Sequence, residues 1–112
     1  MEKMIKSVAD HYGYESQSRQ LIEEMGELTS AINHYWRKDL QCGGISFDPE
    51  TAGGSEYIHM FEELADVAVC MEQLIYLTGK EDTILYLMKL KLHRQINRIN
   101  ESRGGEVDGL SL

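Results

Sequence analysis

The helix-breaking residues of this 112-residue chain are concentrated, and their placement restricts it to long helices separated by a few fixed breaks. Its only proline, Pro49, sits with Gly43, Gly44, Gly53 and Gly54 in one stretch, Asp39 to Gly54, while Gly104, Gly105 and Gly109 mark the C-terminal end. β-Branched runs that would favour strands are few. Breaks and apolar spacing together predict four helices. The first, near Glu2 to His11, ends at Gly13, and the second runs from Ser16 or Gln17 to Lys38. A third opens with Ser55 as N-cap and closes at Gly79, a residue suited to the left-handed C-terminal position, and a fourth spans about Asp82 to Ser102. The expected architecture is all-α: a helical bundle of about four helices over residues 1–102, completed by oligomerisation, with residues 103–112 as a flexible tail. A chain of this length is one domain that buries roughly two thirds of its unfolded surface.

Charge and cysteine content remove several classes of function. A formal net charge of −8 leaves no surplus of Lys or Arg to displace counterions from a nucleic-acid polymer or to bind an anionic membrane. Cys42 and Cys70 form neither a CxxC pair nor a zinc-finger spacing, which fits a reducing compartment. The N-terminal MEKMIKSVADHYG lacks the apolar core of a signal peptide, and no stretch is apolar enough to span a bilayer. A cytoplasmic, soluble protein is expected.

Apolar periodicity then sorts the acids. Leu21, Met25, Leu28, Ile32 and Tyr35 follow alternating spacings of four and three, an apolar stripe along the second helix. Gln17, Gln20, Glu24 and Glu27 border that stripe, and Glu23 points further toward solvent. In the third helix, Asp66 is the only polar residue in the run Leu64 to Met71, which predicts a helix buried nearly all round, and Glu63 stands one turn back. Each pair, Glu24 with Glu27 and Glu63 with Asp66, presents two carboxylates on one helix face. Two such helices side by side make an oxygen-rich cluster suited to Mg²⁺, with Mn²⁺ as a substitute. The competing readings are a buried ion pair to a cation of the fourth helix, or a solvated acidic face.

Lys91, Arg94 and Arg98 recur at spacings of three and four, so they share a face that either clamps phosphates or is simply solvated. Tyr12, Tyr14, Tyr35 and Trp36 are candidates to stack a base or to fill a core. His11, His34, His59 and His93 have no recognisable triad partners. A di-iron carboxylate site needs two ExxH motifs, and only Glu56 to His59 has that spacing.

The segments Glu23-Glu24-Met25-Gly26-Glu27 and Glu62-Glu63-Leu64-Ala65-Asp66 resemble the EExxE and EExxD motif pair of the MazG-like all-α nucleotide pyrophosphohydrolases. The resemblance extends over about Gln17 to Arg98. It implies a Mg²⁺-dependent enzyme that cleaves a nucleoside triphosphate to monophosphate and pyrophosphate, working as a homodimer or homotetramer. It also implies that Glu24, Glu27, Glu63 and Asp66 hold the metal. Lys91, Arg94, Asn97 and Arg98 would reach the phosphates, with Gln17 and Gln20 toward the nucleotide. A phosphoribosyl-ATP pyrophosphohydrolase and a catalytically silent helical interaction module are the alternatives. The Gly-rich connection from Cys42 to Gly54 exceeds the family's usual length, and is open to reading as a lid, an oligomer contact or a disordered link.

Overall fold

The computed structural model describes residues 1–42 and 55–103, and among them every regular element is a helix. The elements are α1 (Glu2–Cys42), α2 (Ser55–Thr78) and α3 (Glu81–Arg103). The Gly-rich connection and the tail from 104 onward lie outside the described residues. None of the described helices is long and apolar enough to cross a membrane. The chain divides into two compact units, Met1–Thr78 and Gly79–Leu112.

The expected break at Gly13 is present: α1 is kinked there into two helical limbs, so its two limbs with α2 and α3 correspond to the four helices expected. Its φ of 84° and ψ of 170° are non-helical, and the limbs before and after it are the expected first and second helices, counted together as α1. That backbone region is open essentially to glycine alone. At the other end α1 runs to Cys42, four residues beyond the expected Lys38, since nothing in Asp39 to Cys42 breaks a helix and Gly43-Gly44 follow only then. Gly79, with φ of 65°, ends α2 as expected. Thr78 helps there by donating its hydroxyl to the Ile75 carbonyl at 2.8 Å, one of the acceptors a helix C-terminus leaves open. In α3, Glu81 and Asp82 place negative charge in the first turn, where the helix dipole favours it.

In the first unit, α1 and α2 form an antiparallel pair. Residue numbers fall along α2 as they rise along α1: Tyr76 meets Asp10, Gln73 meets Gln17, and Asp66 and Glu63 meet Glu24. Tyr76 donates its hydroxyl to the Asp10 carboxylate, 2.9 Å from each oxygen, and Lys6 Nζ lies 5.7 Å from the centre of the same ring. These contacts fasten the limb before Gly13 to α2. Donating that hydrogen bond, together with desolvation and the Asp10 charge, raises the Tyr76 phenol above its ordinary value.

The face of α1 that is covered differs from the stripe read in the sequence. Gln17, Ala31 and Tyr35 are buried and Leu21, Glu24 and Leu28 partly so, whereas Met25 and Ile32 are exposed. The seam alternates four and three through Gln17, Leu21, Glu24, Leu28, Ala31 and Tyr35, rotated toward the row of polar residues. On α2 the covered positions are Glu63, Val67, Cys70 and Gln73. Leu64, Val69 and Met71 are exposed, so α2 is not buried all round.

Gly13 and Gly26 generate opposite expectations. Neither would bring a new Cβ within 4 Å of another group, but only Gly13 has a positive φ. Gly13→Ala should destabilise the metal-free protein by about 1–3 kcal/mol, and Gly26→Ala, in helical backbone, should stabilise it by about 1 kcal/mol. Thermal melts of the two variants should shift to opposite sides of the parent; a Gly13→Ala protein as stable as the parent would contradict the bend.

Candidate metal centre

The antiparallel register brings the two acidic motifs to the same level of the helix pair. One ligand oxygen from each of Glu24, Glu63 and Asp66 can be chosen so that all lie within 4.8 Å of one another. Glu63 sits in the seam with 9% of its surface exposed, Glu24 is partly buried, and Asp66 is exposed at the rim. The sequence reading made Asp66 the buried acid. Asp66 shares its helix face with the buried Gln73, seven residues later, so it borders α1 beside Glu63 while remaining exposed.

Each glutamate has a polar side chain four residues before it beside one of its oxygens, hydrogen-bonded at Glu24 and at ion-pair distance at Glu63. Gln20 donates its side-chain amide to Glu24 Oε1 at 2.7 Å, and His59 Nε2 lies 3.8 Å from Glu63 Oε1. In each case the second oxygen, Oε2, is shut off from solvent and has no hydrogen-bond partner. Buried polar atoms are normally satisfied, because leaving one bare forfeits its hydration without replacement. Two bare carboxylate oxygens on facing helices are what a hard cation would satisfy.

The electrostatics agree with that arrangement. The Gln20 hydrogen bond is the largest single influence on Glu24 and lowers its pKa. Desolvation, the charges of Glu27 and Asp66, and the contact with the Glu27 carboxyl together outweigh it, leaving Glu24 above the ordinary carboxylate value. Burial first, then the charges of Glu24 and Asp66, also push the buried Cys70 thiol up. Cys70 therefore stays protonated beside the acids, which disfavours it as a nucleophile.

The remaining candidates are distributed as follows. Glu27 is exposed and lies outside the three-acid cluster, though it acts on Glu24. Gln17 is buried and donates to Gln73 Oε1 at 2.6 Å, and Gln20 is engaged with Glu24, so in this structure both amides face protein groups. The cluster lies wholly in the first unit. Lys91, Arg94, Asn97 and Arg98 belong to α3 in the second, all exposed. Tyr35 is buried, whereas Tyr12, Tyr14 and Trp36 are exposed.

Two polar residues of the site escaped the sequence reading. Gln73, 3% exposed, was legible only as a polar residue three positions after Cys70 on an apolar helix. The role of His59 was hidden because it contributes through Glu63, four residues later, and not as a member of a metal or triad motif. Comparison with known proteins finds no matching family model, no similar curated protein and no similar solved structure.

Proposed function

We propose that the protein is a Mg²⁺-dependent nucleotide pyrophosphohydrolase that converts a nucleoside triphosphate to its monophosphate and pyrophosphate. The observation that carries this reading is the convergence of Glu24, Glu63 and Asp66 within 4.8 Å, with Oε2 of both glutamates buried and without a hydrogen-bond partner. The resemblance of the two acidic motifs to those of the MazG-like enzymes supplies the reaction.

The donor set fits the ion, since all three ligands are hard carboxylate oxygens on two helices fixed against each other. When bound there, Mg²⁺ supplies charge stabilisation to phosphate oxygens and to the departing pyrophosphate. The remaining work belongs to the chain. Glu27, exposed beside Glu24, is placed to accept the proton of the attacking water. Water oxygen bonds to the α phosphorus, the bond to the α–β bridging oxygen breaks, and pyrophosphate leaves with that electron pair. Lys91, Arg94, Asn97 and Arg98 bind the phosphates in this reading. It is supported by the composition of α3, which has no acid from Thr83 to Asn100, whereas Met1 to Thr78 holds fourteen Asp and Glu against five Lys and Arg. A substrate carrying several negative charges needs that local positive charge in so acidic a chain.

A homo-oligomer belongs to the same proposal. Ile22, Met25, Leu64, Val69 and Met71 are exposed on the paired helices, and so many large apolar side chains left open on a short chain support cover by a partner. Light scattering at micromolar concentration should give a particle of at least twice the 12.8 kDa chain mass; a particle of 12.8 kDa would refute the oligomer. Cytoplasmic location is part of the proposal too, as the compartment where nucleotides are found.

The reaction is tested by chromatography of a nucleoside triphosphate incubated with protein and Mg²⁺. Monophosphate and pyrophosphate are expected, and Asp66→Asn should remove turnover while leaving the metal-free melting temperature equal to or above that of the parent. Diphosphate with orthophosphate would show a different bond being cut. No hydrolysis of any triphosphate would favour the interaction-module reading.

A further inference from the structure

We infer that Gln20 and His59 are paired positioning residues. Gln20 hydrogen-bonds one oxygen of the acid one turn further along α1, and His59, when protonated, stands at ion-pair distance from one oxygen of the acid one turn further along α2, which leaves the second, buried oxygen of each acid for the centre. The inference rests on the metal reading of that centre. Gln20 reaches Glu24 Oε1 at 2.7 Å and His59 Nε2 stands 3.8 Å from Glu63 Oε1, while Oε2 of both glutamates is buried and unpartnered. The same four-residue offset thus recurs on α1 and α2 with different donors.

Helix geometry explains why the offset works. Residues four apart stand above one another on one face, so a side chain at position i can meet the carboxylate at i+4 from its solvent side. A glutamate has three rotatable bonds and, left alone, distributes its oxygens among several staggered states, most of them hydrated. A donor on one oxygen selects the state in which the other faces inward. Outer partners of this kind commonly govern how tightly a metal is held without touching it. Gln20 accordingly acts on Glu24 and not on the nucleotide, in contrast to the role that the family resemblance implies.

Mn²⁺ binding to the full chain, followed by the electron paramagnetic resonance of the free ion, tests this. Gln20→Met preserves length and removes the donor, as does His59→Phe apart from shape; each should weaken Mn²⁺ binding by about 10- to 100-fold while the metal-free melting temperature is unchanged. Arg19→Ala, which removes only a surface ion pair to Glu15, should bind as the parent does. A purely structural role would move the melting temperature and not the Mn²⁺ affinity. Parent-like Mn²⁺ affinity in both Gln20→Met and His59→Phe overturns the inference and leaves the metal reading intact. A parent protein that takes up no Mn²⁺ at millimolar concentration overturns both.

Discussion

Three carboxylates brought within 4.8 Å of one another repel, and the helix pair that carries them must hold that arrangement against the repulsion. The means are visible in the seam between α1 and α2. Ala9, Ala31, Tyr35, Val67 and Cys70 supply its buried apolar surface, and small residues such as Ala9 and Ala31 let the two backbones approach closely. Between the acids and the chain ends, the Gln17–Gln73 hydrogen bond is enclosed within that seam. A buried amide pair resists sliding, because a shift of one turn would leave both amides unsatisfied. The register that aligns Glu24 with Glu63 and Asp66 is thus fixed by a neutral polar contact nearby. The acids themselves oppose it until a cation is present.

This division of labour gives the first unit two kinds of polar burial with opposite consequences. Gln17 and Gln73 satisfy each other and stabilise the pair of helices. Glu24 and Glu63 each keep one oxygen satisfied or faced by a side chain and one oxygen bare. A core built for stability alone would have apolar side chains there, and retention of bare acids in a seam with so few buried apolar residues points to binding chemistry. The phosphate-binding part of the proposal draws on separate features, the acid-free middle of α3 and its row of cations, in a chain whose charge is otherwise strongly negative.

Much of this was legible in the sequence, in proportion to how local each feature is. Clustered glycines and one proline announced an all-helical chain, and Gly79 was correctly placed as a helix end because its left-handed backbone is a local property. The spacing of Glu63 and Asp66 announced that an acid pair lies on α2. What the sequence did not disclose was phase. Met25 and Ile32 satisfied an apolar period as well as Ala31 did, and only the close approach of α2 selects the face with the alanine. Glu63, not Asp66, is the acid sunk in the seam. The break at Gly13 is legible for the same reason as the end at Gly79, since its non-helical backbone is a local property of glycine. Gln73 and His59 act across or along helices through a partner, and no spacing rule for ligands selects them.

The central claim, that Glu24, Glu63 and Asp66 hold one divalent cation, is tested most directly by anomalous diffraction from crystals grown with Mn²⁺. The account predicts an anomalous peak at about 2.0–2.2 Å from an oxygen of each of the three, including Oε2 of Glu24 and of Glu63. Crystals in which the three carboxylates are ordered, no peak lies among them, and a Lys or Arg side chain fills the space instead would contradict it.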